Sequence, residues 1–250
     1  MKAVIGIPSY DGTLDVRFFA ELNNLVNYSQ AHGVEVSITP DSLPVAVGSM
    51  IPSNRRRIID SAIRQEAEYV LMVDTDSAGI PPNALVRLIG YEKELVAALM
   101  FGKQPPFLPM SHVHRNPDDK FLTNVVDYPP DTLLPVEAVG FGFVVLHVPM
   151  VRKLIELRPA GLIFPMSEAT GEDVAFCQLA RETLQVQPYV DTGLVIGHRG
   201  EYVYGESEYS FFRAQVLELM ASGLNIHQVS AKIAEQCQKN DGAVTQKQEE

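Results

Sequence analysis

Two aspartates separated by one threonine stand directly after a continuous apolar run. Asp74 and Asp76 follow Tyr69–Val73, which has the composition of a buried strand. Side chains two residues apart in an extended chain point to the same side, so both carboxylates are expected on one face. Such a pair is stable when a hard cation lies between it and a phosphate-bearing ligand. A solvated turn is the alternative, but the end of a buried strand favours a functional site.

A second acidic pair, Glu172 and Asp173, opens a helical pattern after Gly171. Carboxylates in a first helical turn are stabilised by the helix dipole and by free backbone N–H groups, so the pair is consistent with an ordinary helix start. The same pair also suits a base that stays ionised near pH 7 and faces a hydroxyl group. The residues alone leave both interpretations open.

His198 lies between Gly197 and Arg199-Gly200, just after a short apolar run. Glycines around a His and an Arg indicate a tight backbone near a ligand. The imidazole could therefore complete a metal site begun by Asp74 and Asp76. A structural role is the alternative for a lone histidine.

Three further segments have the composition of ligand-binding loops. Pro8–Gly12 ends the first strand, where Tyr10 could stack on a nucleotide base, although Asp-Gly also favours a simple turn. Ser53–Arg57 joins a predicted helix start to three arginines, which is typical of an anion site and also of a solvated charged face. Gly140 and Gly142 fall inside a predicted strand, where glycine permits close approach of a ligand or another backbone.

Two histidines and the two cysteines give weaker signals. His112 and His114 lie in a long loop region and could contact an acceptor. Cys177 and Cys237 fall in helical patterns and are interpreted as buried apolar residues rather than nucleophiles. Two thiols cannot form a disulfide framework, which favours a reducing, cytoplasmic location.

The composition excludes several classes of protein. The chain has 250 residues, a formal net charge of −11 and a pI near 5.0, so no nucleic-acid partner is expected and a polyanionic nucleotide would need a metal cation. Hydrophobic residues make up 46% and charged residues 20%, which excludes a disordered chain and a collagen-like repeat. No apolar run reaches the roughly 18 residues of a membrane span, and the N-terminus lacks the apolar segment of a signal peptide.

Apolar periodicity predicts the elements that position these residues. Strands are predicted at Ala3–Ile7, Val34–Ile38, Tyr69–Val73, Leu95–Phe101, Val139–Val148, Val186–Val190 and Leu194–Ile196. Helices are predicted at Asp15–His32, from an N-cap at Ser53, from Pro81 to Ile89, at Met150–Leu157, at Gly171–Leu184 and at Phe211–Gln238 with a break near Gly223. The segment Gly102–Pro135 is predicted to be a long loop region with a short hairpin. This order favours an α/β fold with a mostly parallel sheet and helices on both faces.

Several motifs stand in one order: Ile-Pro-Ser-Tyr-Asp-Gly, Ser-Asn-Arg, Val-Asp-Thr-Asp, Val-Gly-Phe-Gly-Phe, Gly-Glu-Asp-Val-Ala-Phe-Cys and Gly-His. That order resembles the glycosyltransferases of the GT-A fold, most closely family 2, over roughly residues 3–200. The resemblance implies a Rossmann-like sheet and a nucleotide-diphosphate sugar donor, with a UDP-sugar favoured. It also implies Mn²⁺ or Mg²⁺, a hydroxyl acceptor (glycan, lipid-linked or small molecule) and inversion of the anomeric centre.

The same resemblance implies a role for each candidate residue. Asp74 and Asp76 would hold the metal and the ribose-diphosphate, with Asp76 preferred as the direct ligand. His198 would be a distal contact of the metal and the diphosphate. Asp173 would be the general base, and Glu172 would contact the acceptor. The residues expected to line the nucleotide and the donor sugar are Pro8, Ser9, Tyr10, Asn54, Arg55, Asp74, Thr75, Gly140 and Gly142.

The resemblance also suggests a division of the chain. Residues 1–204 would form the catalytic domain, with a nucleotide-binding part over about 1–101 and an acceptor part over about 102–204. Residues 205–250 would be a helical extension with a frayed end. An acidic residue after the second strand often meets the base in this family, and here Asp41 follows Pro40 in that region. The chain has no Trp, so the Gln-x-x-Arg-Trp motif of processive synthases is absent and a processive polysaccharide synthase is not expected.

Two other functions stay open. A nucleotidyltransferase on a similar sheet would also use carboxylates, a metal and a nucleotide, but it usually carries Arg and Lys after the first strand, and Pro8–Gly12 has neither. A non-enzymatic regulatory module would use Leu217–Ile233, which loosely resembles a helix-turn-helix. That stretch is poor in Lys and Arg, which favours a hairpin that packs on the catalytic domain or on a partner subunit in a homo-oligomer.

Overall fold

The computed structural model describes residues 1–10, 12–38, 45–47, 50–114, 122–158, 161–166, 170–200 and 203–246. Asp11 and Asp41, two residues of the predicted nucleotide side, lie outside the described residues. The strands are β1 (Lys2–Ser9), β2 (Glu35–Ile38), β3 (Val45–Val47), β4 (Tyr69–Val73), β5 (Ser77–Ala78), β6 (Leu95–Leu99), β7 (Ser111–Val113), β8 (Thr123–Asn124), β9 (Leu133–Pro135), β10 (Ala138–Val139), β11 (Phe143–His147), β12 (Tyr189–Val195), β13 (Gly197–Arg199) and β14 (Val203–Tyr204). The helices are α1 (Val16–Ala31), α2 (Ile51–Arg64), α3 (Ala84–Ile89), α4 (Val148–Leu157), α5 (Glu172–Leu184), α6 (Glu206–Ala221) and α7 (Ile226–Gln246).

The central sheet follows the order β2-β1-β4-β11-β6-β12-β9, and β3 pairs with the end of β1. β1 runs parallel to β2, β3 and β4, and β6 runs parallel to β12. β11 lies antiparallel between β4 and β6, and β9 is antiparallel to β12. The predicted α/β fold with a mostly parallel sheet is confirmed, and β1, β4, β6 and β12 all end at the same edge.

Helices cover both faces of this sheet, as predicted. One apolar layer joins the sheet to α1 and α3 and includes Ile5, Phe18, Leu71 and Leu85. The other layer joins it to α2, α4 and α5 and includes Ile58, Val70, Leu154 and Phe176. Because alternate residues of β4 enter opposite layers, this strand is apolar throughout. The residues just beyond its end are therefore the first in this segment that can carry charge.

The strand predicted over 139–148 is broken into β10 and β11, so Gly140 and Gly142 lie in the connection instead of inside a strand. The reason is that the backbone groups of the two glycines hydrogen-bond to two different segments of the chain. The Gly140 N–H donates to the Met110 carbonyl at 2.7 Å, and the Gly142 carbonyl accepts from the Asp74 N–H at 2.9 Å. The connection is therefore tied directly to the segment that follows β4.

Ser53 is not the N-cap of α2. The helix begins at Ile51 and has Pro52 in its first turn, where the missing N–H of proline costs nothing. The Ser53 N–H already donates to the Met50 carbonyl at 3.0 Å. The proline, rather than the serine, marks the start of this helix.

The segment predicted as a long loop contains more regular structure than a hairpin. β7 pairs antiparallel with both β8 and β10, and β9 joins the edge of the central sheet. Strands of two or three residues show too little alternation to be recognised from sequence. The strands predicted at 186–190 and 194–196 form the single strand β12, whose pairing with β6 shifts between Asp191 and Val195.

The C-terminal helices form a hairpin that packs on the body of the molecule, as one interpretation of the sequence predicted. α6 begins before the predicted start, and α7 continues to Gln246, within the stretch expected to fray. Tyr209 of α6 is buried against the Phe101 ring, with a centroid distance of 5.7 Å. None of the helices in the described part of the chain has the length and apolar character that crossing a membrane requires. The small core of the hairpin consists of Val216, Met220, Ile226, Val229 and Ile233.

Gly6 of β1 faces α2 with no room for a side chain, because a Cβ there would lie 2.1 Å from Ile58 Cγ2. We expect Gly6→Ala to lower the free energy of unfolding by about 1–3 kcal/mol, since overpacking displaces buried neighbours. Urea denaturation measures the change. Gly102→Ala is the matched control, because its Cβ would make only an ordinary contact of 3.7 Å with the Leu108 carbonyl. Equal midpoints for the two variants would contradict this packing.

Candidate functional site

The segment after β4 is fixed by its backbone at the carboxyl edge of the sheet. The Ser77 N–H donates to the Asp74 carbonyl at 3.0 Å, and the Arg199 N–H donates to the Asp76 carbonyl at 2.6 Å. β13 also pairs with β5, which joins His198 to Ser77 in register. These bonds place the two carboxylates next to the segment that carries His198, with Thr75 half-buried between them.

Arg55 connects the two acidic pairs of the site. Its side chain is only 4% exposed, and its Nη2 lies 3.2 Å from Asp74 Oδ1 while its Nε lies 3.2 Å from Glu172 Oε1. Nη1 donates to the Phe141 carbonyl at 3.1 Å, and the guanidinium lies 5.5 Å from the centroid of the Phe141 ring. The helix start of α5, the end of β4 and the connection before β11 therefore share one cation.

Two of the three consecutive arginines are bound to groups of the protein. Arg55 is bound to two carboxylates, whereas Arg56 binds Asp60 at 2.9 Å and donates to the Gly161 carbonyl. The role of Arg55 in lining a nucleotide stays a prediction, and its observed partners are protein carboxylates.

Asp76 is bound by two basic side chains. Lys103 Nζ lies 2.5 Å and His198 Nε2 lies 3.3 Å from Asp76 Oδ2. Burial alone would raise the pKa of this carboxyl group, but the hydrogen bonds of His198 and Lys103 outweigh it and lower the pKa to about 2. Asp76 is therefore ionised at neutral pH. Its other oxygen, Oδ1, is buried and has no hydrogen-bond partner within the described ranges.

His198 is oriented by the end of the neighbouring strand. Its Nδ1 lies 2.9 Å from the Phe101 carbonyl, which can only accept, so Nδ1 carries a proton. Nε2 then faces Asp76 Oδ2 at 3.3 Å and donates to it when the ring carries both protons. If a cation lay between the two groups, the ring protonated only at Nδ1 would offer it the lone pair of Nε2, which is the orientation of a histidine that ligates a metal.

The predicted metal set is brought together in part. Asp76 and His198 are in contact, whereas the Asp74 carboxylate is 31% exposed and bound to Arg55. Among the residues that the structure describes, no group of three or more His, Cys, Asp and Glu side chains is arranged to hold a metal ion. The orphaned Asp76 Oδ1 and the Nε2 lone pair fit a site with two protein ligands that a ligand's own oxygens complete. Asp74 as a direct metal ligand stays a prediction.

Asp74 differs electrostatically from Asp76. Burial raises the pKa of Asp74 above its usual value, and the positive charge of Arg55 opposes this effect without cancelling it. The negative charges of Asp76 and Asp173 raise the pKa further. Asp74 is therefore the carboxylate on which the charges of both Asp76 and Asp173 act. A bound cation would favour its ionised form.

The acidic pair of α5 lies on the other side of Arg55. Gly171 precedes the helix, and Asp173 Oδ1 accepts from the Val174 N–H at 2.7 Å, which orients the carboxylate. Burial is the main reason why the pKa of Asp173 is raised, and the charge of Glu172 adds to it. A carboxylate with a raised pKa is a better base than a solvated one, which suits the predicted role.

The end of β1 forms the predicted nucleotide side. Pro8 and Ser9 are buried, and the Asn54 side chain of α2 donates to the Ser9 carbonyl at 3.1 Å. Tyr10 is 71% exposed directly after the strand, where its ring can stack on a planar base. These four residues are adjacent, as expected, and their contact with a nucleotide stays a prediction.

The two glycines before β11 are explained by packing. A Cβ at Gly142 would lie 2.6 Å from Met100 Sδ and 3.7 Å from Asp74 Oδ2, and one at Gly140 would lie 2.9 Å from Met110 Cε. Gly142 therefore lies beside the acidic pair, whereas Gly140 borders a methionine. A donor sugar over these glycines stays a prediction.

Lys103 is a candidate site residue that the sequence analysis missed. It follows β6, which ends at the same edge as β4, so the rule that located Asp74 also applies to it. The signal was obscured because the region after Phe101 lacks a clear pattern. His112 was predicted only as an acceptor contact, and it lies close enough to Asp173 for their charges to interact.

Comparisons with known proteins give similarity in fold without a family. Neither a protein-family model nor a curated protein matches the chain. Among solved structures, it is similar to A197 from STIV, with a TM-score of 0.48 and 16% identity over 80% of this chain and 86% of that one. It is also similar to a CMP:2-keto-3-deoxy-manno-octonic acid synthetase complexed with CTP, with a TM-score of 0.44 and 13% identity over 90% of this chain and 100% of that one. Similarity at this level carries no argument about function, which must come from the site.

Asp173→Asn and Asp76→Asn are expected to change stability at pH 7 in opposite directions. Burial raises the pKa of Asp173, so its ionised form costs stability above that pKa, and the neutral Asp173→Asn variant should be more stable until the pH falls below about 4. The Asp76 carboxylate, with a pKa of about 2 against an ordinary 3.8, contributes stability that is lost as the pH falls through this interval. The Asp76→Asn variant should therefore be less stable at pH 7 and converge with the wild type in acid.

Urea midpoints measured from pH 7 to pH 3 test this pair of expectations. Asp60→Asn is the control, because Asp60 forms only a half-exposed pair with Arg56 within α2 and such pairs contribute little. Shifts of the same sign for Asp173→Asn and Asp76→Asn at pH 7 would contradict the described environments.

Proposed function

We propose that this chain is a metal-dependent glycosyltransferase of the GT-A type, which transfers a sugar from a nucleotide-diphosphate donor to a hydroxyl acceptor. One observation carries the proposal. His198 contacts Asp76, and Arg55 binds both Asp74, two residues before Asp76, and Glu172, the neighbour of the candidate base Asp173. A cation-binding group and a base are thus held at a fixed separation on one sheet edge.

The donor side supports binding of a diphosphate. Asp76 and His198 would hold Mn²⁺ or Mg²⁺, which when bound would neutralise the charge of the diphosphate leaving group. Lys103, 2.5 Å from Asp76, adds a positive charge of the protein's own at this point. Tyr10 stacks on the base, and Ser9 and Asn54 fix the backbone beneath it.

The acceptor side supports removal of a proton. The Asp173 carboxylate takes the proton of the acceptor hydroxyl, whose oxygen forms the new bond to the anomeric carbon as the bond from that carbon to the diphosphate breaks. Glu172 is held 3.2 Å from Arg55 and is therefore a positioning residue rather than a second base. A single displacement of this kind inverts the anomeric centre.

The arrangement favours transfer of a sugar over transfer of a nucleotidyl group. A nucleotidyltransferase must bind a triphosphate, and the described residues after β1, Tyr10 and Gly12, contribute no positive charge there. The cations of the site, Arg55 and Lys103, are instead placed beside carboxylates. Release of pyrophosphate from a nucleoside triphosphate and a sugar phosphate would favour the nucleotidyltransferase.

Asp76→Ala is expected to abolish metal-dependent binding of UDP, whereas Asp173→Asn is expected to retain binding and to lose transfer by at least about a hundredfold. The reason is that Asp76 serves the donor and Asp173 serves the acceptor. Calorimetric titration with UDP and Mn²⁺ measures the first effect. Turnover of the UDP-sugar that gives the fastest metal-dependent hydrolysis in a donor screen measures the second.

Asp60→Ala serves as the control for both assays, because it removes a carboxylate of α2 outside the site. Full turnover by Asp173→Asn would reject the base assignment. Equal affinity for UDP with and without Mn²⁺ would reject the metal site.

A further inference from the structure

A second histidine lies on the acceptor side of the site. His112 is the middle residue of β7, and Ala138 of β10 lies opposite it in the antiparallel pair. β10 packs against α5, the helix that begins with Glu172 and Asp173. The imidazole is therefore held on the α5 side by a small sheet that is separate from the strands of the central sheet, close enough to Asp173 for their charges to interact.

One nitrogen of this ring has an unmet hydrogen-bonding capacity. His112 Nδ1 is buried and has no hydrogen-bond partner among the residues that the structure describes. Buried polar atoms of native proteins are nearly always paired, so an unpaired one calls for a ligand or an ordered water. His114, two residues further on, provides the contrast, because its Nδ1 contacts Glu137.

The surroundings of His112 suit an uncharged hydroxyl. Burial lowers the pKa of His112, and the charge of Asp173 and a hydrogen bond of the ring with the Ala138 backbone oppose this effect without cancelling it, so the ring is neutral at pH 7. A neutral imidazole offers one N–H and one lone pair, whereas the neighbouring carboxylate only accepts. The two side chains together match two adjacent hydroxyl groups, of which one loses its proton and the other is only bound.

We propose that His112 binds the acceptor through Nδ1, at a hydroxyl next to the one that Asp173 deprotonates. The inference rests on the proposed function and names the acceptor class. The acceptor is a vicinal diol of the kind that a pyranose ring presents, rather than an isolated alcohol. His112 stays neutral during transfer, since the proton of the attacking hydroxyl moves to Asp173.

The test uses the full chain, Mn²⁺, the UDP-sugar selected by the donor screen and methyl hexopyranosides as acceptor probes. With the best hexoside, His112→Ala is expected to raise the acceptor KM about tenfold, the effect of one lost hydrogen bond, and to leave the Kd of UDP unchanged. His112→Asn, whose amide can occupy the place of Nδ1, should restore the KM to within about threefold of the wild type, and His112→Gln should not. His32→Ala is the control, because His32 is exposed at the end of α1, and this variant should leave the KM unchanged.

Monodeoxy analogues of the same hexoside make this readout specific. For one analogue the wild-type KM should rise about tenfold, and His112→Ala should add nothing further, because the two changes remove the same bond. A structural effect of His112 would persist with every analogue. An acceptor KM of His112→Ala within about threefold of the wild type, as expected if a water pairs Nδ1, would overturn the inference. Transfer to isolated alcohols but to no hexoside would do the same.

Failure of the proposed function has a different signature. A chain that binds no nucleoside diphosphate in the presence of Mn²⁺ would overturn the glycosyltransferase itself, and the acceptor inference with it. Calorimetry detects this result before any acceptor is added, so the two failures are distinguished.

Discussion

The buried guanidinium of Arg55 is the interaction on which the rest of the site depends. A cation that is only 4% exposed must be paired, and its partners here come from the end of β4, the start of α5 and the connection before β11. Replacing a buried ion pair by apolar residues is often neutral for stability, so these contacts are better understood as fixing positions than as supplying stability. If Arg55 were displaced, Asp74 and Glu172 would repel each other, and the proposed donor and acceptor sides would no longer be held together.

The same constraint explains how a chain with a net charge of −11 could present the proposed site for an anionic ligand. The positive charge that the molecule places at this edge includes that of Arg55 and Lys103, and both are held by carboxylates of the site. In the proposed function, a diphosphate with its divalent cation would therefore meet these local charges rather than the average charge of the surface, because charges beyond about 10 Å are largely screened at ordinary salt.

Local sequence patterns predicted much of this arrangement, but they could not predict which distant strands pair. β4 and the start of α5 were predictable because a continuous apolar run and an acidic first helical turn have direct physical causes. Burial of Arg55 was also within reach, since it lies three, four and seven residues before Ile58, Ile59 and Ala62 on one helical stripe. The position of β11 between β4 and β6 could not be predicted, because it depends on which strands pair across more than forty residues of chain. β7 and β10, which hold His112, are too short to show an alternating pattern of apolar residues.

Two carboxylates of one site, Asp76 and Asp173, are given opposite properties by their surroundings. His198 and Lys103 lower the pKa of Asp76 to about 2 against the effect of burial, which keeps it an anion for a cation to bind. Asp173 is also buried, but its main stabilising contact is one backbone N–H, and its pKa is raised. Environments that separate the pKa values of neighbouring carboxyl groups are how proteins divide a binding role from a proton-transfer role. That division follows from the elements themselves: the segments at the ends of β6 and β12 supply basic partners to Asp76, whereas β7 supplies a neutral imidazole on the side of Asp173.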